Sequence, residues 1–473
     1  MIDEERVREV IKEAYKIVVP SKGEVEALLN FAYNVLKFAN EFSKVYNAEA
    51  EIVGSVARDT WLPGKKEVDI FVKFPLYFSR EKLEELGLII GKRIAEELNA
   101  EYKIEYAEHP YVKVFFQDFT VDVVPCYKIK SIDEMKSAVD RSPLHNEYLL
   151  KKRINLISNE VRLLKQFLVA NEMYGAEAKV NGFSGYLCEL LILNYGSFLN
   201  LLKDAINWLP GKIIDIEKHY DESEYLKLRK IFKSALIVID PVDKNRNVAA
   251  ALSFYNFFKF KTFARKFLEN STIDFFIKRE IEPISYNDLI YLQMKRRTNL
   301  IVLRFKRPEI ADDIIYPQMR KFAKRIDEIL KMYSFKVLWK DVFCSKDFCY
   351  LVLEMEISKL PKVEKREGPI VFDIENSINF FKKYKDYLIT VEKDRLVAEI
   401  PRRFERAIDK IKDSLSADEQ RLISKGIPNF IAREISKGFE LTDESSKIYK
   451  FIQEDIEFGR FLKKFFEKEK LIL

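Results

Sequence analysis

Gly54-Ser55-Val56-Ala57-Arg58-Asp59-Thr60, followed by Glu67-Val68-Asp69-Ile70-Phe71, is the stretch from which the rest of the chain is read. Ile52 and Val53 lead into it like the end of a buried strand. Gly54 and Ser55 permit a tight turn, because glycine has no Cβ to clash and serine can bond the local backbone. Arg58 falls about one helical turn beyond Ser55. A turn that opens a helix aims free N–H groups at an anion, and a hydroxyl and a guanidinium add to it, which suits a triphosphate. In the following strand Val68, Ile70 and Val72 alternate with Glu67, Asp69 and Phe71, so period-two geometry puts Glu67 and Asp69 on one face. Neighbouring carboxylates repel unless a cation lies between them, and Mg²⁺ with its preference for oxygen is the simplest.

A third carboxylate stands in Phe119-Thr120-Val121-Asp122-Val123-Val124-Pro125, where Val121 and Val123 face one way and Asp122 the other. If that strand pairs beside the first, Glu67, Asp69 and Asp122 converge on a two-metal site for in-line displacement at phosphorus. Each half alone has a plainer reading: Glu-x-Asp on a strand is commonly a solvated face, and Gly-Ser is commonly only a turn. In this order and spacing they resemble the polymerase-beta-like nucleotidyltransferases, with Gly-Ser, a short helix and then an acidic pair on a strand.

A length of 473 residues leaves room for roughly three domains. No run of 18 or more apolar residues occurs, so no membrane span is expected. Met1-Ile2-Asp3-Glu4-Glu5-Arg6 begins acidic and helical, unlike a signal peptide. Cys126, Cys188, Cys344 and Cys349 are scattered and suggest neither a disulfide framework nor a zinc cluster; Cys344 and Cys349 read as two buried thiols. A reducing cytoplasm fits. Net charge is only +6, from 81 basic and 75 acidic side chains, so local clusters rather than the sum bear on nucleic-acid binding.

Residues 1–46 read as two helices, 80–99 as another, and 101–106 and 110–116 as strands. From about 147 to 270 the pattern turns helical. Val161, Leu163, Leu164, Phe167 and Leu168 mark one helix that encloses Lys165 and ends at Tyr174 and Gly175. A lysine there snorkels, or beside a triphosphate clamps phosphate. Residues 182–191 read as a turn opening a buried helix, 237–243 as a short strand and turn, and 246–251 as a helix start that Asp243 and Asn247 could cap. Residues 272–310 read as a linker and a strand, 316–332 as a basic helix, and 334–343 and 348–357 as strands of a ferredoxin-like or RNA-recognition-like module. Residues 358–369 look like a hinge before a mainly helical remainder. There Arg402, Arg403, Arg406, Lys410 and Lys412 form a basic face, and Phe458, Phe461 and Phe465 a packing stripe.

Several further motifs, in one unbroken order, resemble the archaeal, class I CCA-adding enzymes. They are Gly54-Ser55-x-Ala57-Arg58-x-Thr60-Trp61-Leu62, Glu67-x-Asp69, Ala107-Glu108-His109-Pro110-Tyr111, Val121-Asp122-Val123-Val124-Pro125-Cys126-Tyr127, Ser137-Ala138-Val139-Asp140-Arg141, Glu160-Val161-Arg162-Leu163-Leu164-Lys165, Gly182-Phe183-Ser184-Gly185-Tyr186 and Asp240-Pro241-Val242-Asp243. The likeness is dense from about residue 50 to 255 and thins beyond it to matches such as Phe348-Cys349-Tyr350-Leu351. It implies a tRNA nucleotidyltransferase that adds C, C and A to the tRNA 3′ end from CTP and ATP, without a template. Glu67, Asp69 and Asp122 match its metal-binding carboxylates, and Gly54 belongs to the nucleotide-binding turn. Ser55, Arg58, His145, Lys165 and Tyr174 match positions that contact the nucleotide, and Arg246 one implicated in reading the base. The class II signature Glu-Asp-x-x-Arg is absent.

The resemblance further implies an α+β multidomain fold with four stretches. Residues 1–145 would be a nucleotidyltransferase palm, 146–272 a helical central nucleotide-binding domain, 273–358 an α+β RNA-binding body domain, and 359–473 a mainly helical tRNA-binding tail. The expected partners are Mg²⁺, CTP, ATP and the acceptor stem and elbow of tRNA, in the cytoplasm, with a homodimer left open. Two other readings stay open on sequence alone: a poly(A) polymerase of the same superfamily, which would use ATP without stopping, and a non-catalytic RNA-binding protein.

Overall fold

A computed structural model of the protein describes residues 3–106 and 108–471, so Met1, Ile2 and Ala107 of the motifs above lie outside the described residues. The chain forms two compact units, one of the residues up to Arg279 together with those from Lys470 on, and the other of Glu280–Glu469. Both mix helices and sheets, in agreement with the expected α+β class.

The first unit opens with α1 (Glu4–Val18) and α2 (Lys22–Lys44), the two helices that periodicity predicts. Asp3 caps the first, and Ser21 forms a capping box with Glu24 on the second, satisfying N–H groups that a helix start leaves free. Next come β1 (Glu49–Val53), the single turn α3 (Gly54–Ala57), β2 (Glu67–Phe74), α4 (Arg80–Glu97), β3 (Glu101–Tyr106), β4 (Pro110–Phe116) and β5 (Phe119–Tyr127). They build one sheet in the order β1-β2-β5-β4-β3. Only β2 and β5 run parallel, and their register sets Asp69 beside Asp122. Residues alternating with these acids, among them Val68, Ile70, Val121 and Val123, are buried with Leu28 and Val35 of α2 and Ile90 and Ile94 of α4. Burial of one sheet face thus turns the acids to the other.

The rest of this unit contains α5 (Arg141–Lys151), α6 (Ser158–Ala170), α7 (Gly185–Tyr195), α8 (Phe198–Ala205), β6 (Lys212–Ile214), α9 (Tyr225–Phe232), β7 (Leu236–Asp240), β8 (Asp243–Asn247) and α10 (Phe254–Glu269). Its core gathers Phe167, Leu191, Trp208 and Phe260, and α1 buries Val7, Val10, Ala14 and Val18 in it. Two local expectations are corrected here. The helix through Leu168 stops at Ala170, and Tyr174 instead bridges Phe183, because the chain turns back to pair rather than wind on. Residues 246–251 do not begin a helix: Arg246 and Asn247 end β8. The Asn247 side chain accepts from the Val238 N–H at 2.9 Å and donates to the Leu236 carbonyl at 3.0 Å, holding the hairpin to β7, and the next helix waits for the Ser253 cap. No single described helix is long and apolar enough to cross a membrane; α7 and α8 together reach the length but bend by 91° and contribute to the core.

The second unit contains α11 (Tyr286–Arg296), β9 (Asn299–Lys306), α12 (Asp312–Met332), β10 (Lys336–Cys344) and β11 (Phe348–Ile357). Then follow β12 (Val363–Ile370), α13 (Ile374–Lys383), β13 (Leu388–Glu392), β14 (Arg395–Pro401), α14 (Ala407–Leu415), α15 (Glu419–Ser424), α16 (Asn429–Lys437), β15 (Glu440–Thr442), α17 (Ser445–Glu454) and α18 (Ile456–Phe466). The main sheet has the order β10-β11-β9-β15 with every pair antiparallel, the ferredoxin-like arrangement, whose last strand comes from far down the chain. Phe458 stacks on Tyr350 at 4.0 Å and Phe461 on Phe343 at 5.1 Å, as the aromatic stripe predicts.

Three expectations fail in this unit. The stretch 272–310 carries α11 as well as a linker and strand, and residues 358–369 hold most of β12 rather than a hinge. The remainder is mainly helical, as expected, in α13 to α18, but β12, β14 and β13 add a second sheet with Phe380, Leu396 and Ala398 at its core. Lys- and Glu-rich composition suggests a loop, but pairing with β14 supplies the backbone bonds that composition cannot reveal. Cys344 and Cys349 are a disulfide rather than two thiols: the β10–β11 register sets them opposite one another, with Cα atoms 4.1 Å apart. The C-terminal basic face is largely neutralised by Arg402–Glu364, Arg406–Asp443 and Lys410–Asp413 pairs at 3.0, 2.7 and 2.8 Å.

Candidate active site

The turn after β1 lies against the acids of β2. Gly54 has φ +72°, and a Cβ added there would lie 2.1 Å from Asp69 Oδ2, so the backbone passes over the carboxylate where no side chain fits. Gly54→Ala should therefore displace Asp69. Since misplacing a reacting group by about 1 Å can cost about a hundredfold in rate, the rate of the reaction this site carries should fall by about that much. Single-turnover kinetics on the folded variant check it, and a rate within about threefold of the parent would disprove the close approach.

Asp69 and Asp122 stand side by side on the parallel strands. Burial, then the charge of Asp122, pushes Asp69 up to about 6. Burial also raises Asp122, against the pull of Lys113, whose Nζ approaches Oδ1 from β4 at 3.2 Å. Even so, Asp122 Oδ1 is buried without a hydrogen-bond partner. Two adjacent carboxylates, with Lys113 beside one of them, have the donor chemistry of a hard divalent cation. Glu67 lies two residues upstream on the same face, exposed, with Oε1 4.0 Å from Lys65 Nζ. Among the described residues no three His, Cys, Asp or Glu side chains are gathered closely enough to hold a metal ion as they stand.

Behind the turn the expected phosphate-binding cations surround a carboxylate. Arg58 donates from Nε at 3.2 Å and Nη2 at 2.9 Å to Glu189 Oε2, and from Nη1 at 2.9 Å to Asn146 Oδ1. Three of a guanidinium's five N–H groups are thus used within the protein. Lys165 is buried, not snorkelling: Nζ donates to the Thr60 carbonyl at 2.9 Å and to Thr60 Oγ1 at 3.2 Å, and lies 3.7 Å from Glu189 Oε1. Burial lowers the Lys165 pKa, opposed by Glu189. Thr60 Oγ1 also donates to Glu189. Asp59 accepts from Arg162, which donates from Nε to the Trp61 carbonyl at 2.9 Å, so α6 locks the end of the turn. Ser55 is half-buried within α3.

Tyr174 comes to the neighbourhood of Lys165 from the bridge to Phe183. A Cβ at Gly185 would lie 3.1 Å from Tyr174 Oη and 3.8 Å from Lys165 Nζ. His145 and Arg246 meet at a second carboxylate, the fully buried Asp240. His145 Nε2 lies 2.9 Å and Arg246 Nη1 2.7 Å from Asp240 Oδ2. Burial alone would raise Asp240, but His145 and Arg246 hold it at about 2; burial lowers His145 despite the carboxylate. The other motif histidine, His109, is buried against Glu84 at 2.9 Å and closes a turn ahead of β4.

Glu189 and Asn146 are members of these networks that no sequence motif singles out, and Asp240 and Tyr186 lie within sequence motifs that assign them no role. The available signal was an acid inside an apolar run, Glu189 between Leu187 and Ile192 and Asp240 after Leu236-Ile237-Val238-Ile239. A buried carboxylate demands a cation, and here the cations come from other elements.

Three family models match the chain: a nucleotidyltransferase domain at residues 33–154, the second domain of tRNA nucleotidyltransferase at 159–277, and the C-terminal domain of the CCA-adding enzyme at 296–444. The CCA-adding enzyme of Methanocaldococcus jannaschii is 40% identical over 443 residues, covering 92% of this chain and 96% of its own length. That of Archaeoglobus fulgidus is 40% identical over 402 residues, covering 84% and 87%, and that of Methanosarcina mazei 35% identical over 465, covering 97% and 98%.

Proposed function

The chain belongs to the CCA-adding enzymes, tRNA nucleotidyltransferases that add C, C and A to a tRNA 3′ end without a template, and from that premise we propose how its residues divide the reaction. Glu67, Asp69 and Asp122 would hold Mg²⁺. When bound, the metal supplies a Lewis acid that eases ionisation of the attacking hydroxyl and offsets charge on the leaving pyrophosphate. Asp122 assists removal of the proton from the terminal ribose 3′-hydroxyl as the 3′ oxygen attacks the α-phosphate of CTP or ATP and pyrophosphate leaves. Ser55, the Gly54 turn, Arg58 and Lys165 hold the triphosphate and stabilise the charge that gathers on pyrophosphate. His145 and Tyr174 line the nucleotide, and Arg246 reads the base. The observation that carries this reading is the pairing of Asp69 with Asp122 on parallel neighbouring strands, two carboxylates held close enough that the charge of one raises the pKa of the other.

Residues 1–145 serve catalysis, 146–272 nucleotide binding, and 273–358 with 359–473 grip the acceptor stem and elbow of tRNA by backbone shape. The three family models, in the same order along the chain, support this division. The cytoplasm is the compartment that fits, and a homodimer is compatible with the reading.

The test supplies a tRNA transcript lacking its 3′ CCA with Mg²⁺ and with CTP and ATP, together and singly, and resolves products at one-nucleotide resolution. C addition with CTP alone, and growth that stops at CCA once ATP joins, is the expected pattern. A long ladder with ATP alone would move the protein to the poly(A) class, and tRNA binding without extension would leave it a non-catalytic binder.

A further inference from the structure

We infer that Asp240 is the positioning residue for nucleotide choice, its carboxylate fixing Arg246, His145 and Tyr186 as one unit. The inference rests on the reading that Arg246 and His145 meet the incoming nucleotide. Four elements converge on this side chain: Asp240 ends β7, His145 comes from α5, Tyr186 from α7 and Arg246 from β8. Oδ2 accepts from His145 Nε2 at 2.9 Å and Arg246 Nη1 at 2.7 Å. Oδ1 accepts from Tyr186 Oη at 3.2 Å and from the Val242 N–H at 3.1 Å, the latter a local turn that sets the carboxylate's rotation. The Tyr186 ring stacks on His145 with centroids 4.0 Å apart and planes 22° apart.

Every acceptor direction of the carboxylate is thus committed, and so are the orientations of its donors. Against an ionised Asp240, His145 presents Nε2–H, which fixes its tautomer. Arg246 gives the carboxylate Nη1 while its side chain stays 34% exposed, leaving part of a planar fork free in a set direction. Cytosine and adenine differ in the donors and acceptors at their edges, so a guanidinium held in one direction discriminates between them and a swinging one does not. The hairpin has anchors besides this carboxylate. The hairpin is held by the Asn247 side chain and by Leu236 and Val238 in the core, and α5 meets it again through Arg141, 3.8 Å from Asp243. A buried ion pair is weak evidence of stability, and fixing one arrangement of its partners is what it can add. The helix α5 also carries Asn146, which accepts from Arg58 at 2.9 Å, so adjacent residues on one helix hold the two ends of the nucleotide site.

Asp240→Asn keeps the shape but turns an amide N–H toward two donors. In the full-length protein, single-turnover rates for CTP and ATP are measured on tRNA that needs C next and on tRNA that needs A next, for the parent, Asp240→Asn, Arg246→Ala and the double variant. We expect discrimination between correct and incorrect nucleotide to fall about tenfold or more in each single variant, with the double no worse than Arg246→Ala, since residues that act as a unit are not additive. If Arg246→Ala loses discrimination but folded Asp240→Asn keeps it, the inference falls and the reading of Arg246 stands. If neither changes, the reading of Arg246 falls and the inference with it. If Asp240→Asn does not fold, Tyr186→Phe removes one donor and leaves the charge. A loss of discrimination of a few-fold then supports the inference, and parental discrimination overturns it.

Discussion

Asp122→Asn should lower nucleotide incorporation about a thousandfold, the equivalent of several kcal/mol of charge stabilisation at a metal-assisted phosphoryl centre, while tRNA binding stays near the parental value. The carboxylate lies beside Asp69, with Lys113 Nζ 3.2 Å from its buried Oδ1, so an amide leaves the space filled but removes the charge that would hold a cation and assist loss of the hydroxyl proton. Stability should move the other way. Burial and neighbouring acids raise both Asp69 and Asp122 above ordinary carboxylates, which means that the folded state disfavours their charged forms at neutral pH. Removing one charge relieves the other, so the melting temperature should hold or rise. Single-turnover incorporation, a tRNA gel shift and calorimetry together check the prediction. Incorporation within about tenfold of the parent would sink the assignment of Asp122, and lost tRNA binding would mean that the side chain serves the fold.

Glu189→Ala should be the most damaging single change to the first unit. Its carboxylate is fully buried and is approached by Arg58, Thr60 and Lys165, two of them cations that are themselves buried. Truncation strands both positive charges in a low-dielectric interior, and breaking a buried pair in this way costs about 3–5 kcal/mol. For a unit of this size that corresponds to a fall of about 10 °C in melting temperature. Because Arg58 and Lys165 lose the anchor that orients them, KM for CTP and ATP should also rise together. Glu189→Gln keeps an acceptor for Arg58 and should show a smaller fall in the same direction. A Glu189→Ala protein that melts within about 2 °C of the parent would show that the two cations find other partners, and that Glu189 does not organise the site.

What the sequence by itself determined is local. A glycine-serine turn ahead of an acid alternating with valine and isoleucine needs no partner to be recognised, and Gly54, Asp69 and Asp122 lie where that pattern puts them. The helices of residues 4–44 and 80–97 follow from an apolar stripe and a capping residue. Tertiary structure alone decided the rest. That Asp69 faces Asp122 depends on a parallel pairing across an intervening helix and hairpin. Glu189 appears in sequence only as a break in an apolar run, and Asp240 as the first residue of a motif with no assigned role, because the cations that neutralise them stand as far as 131 positions away. Residues 246–251 and 358–369 read as a helix start and a hinge until hairpin and sheet partners claim their backbone hydrogen bonds. Cys344 and Cys349 become a pair only through the β10–β11 register. Periodicity records which face of an element is buried; which element buries it, and which distant charge makes a buried acid tolerable, is settled only when the chain has closed on itself.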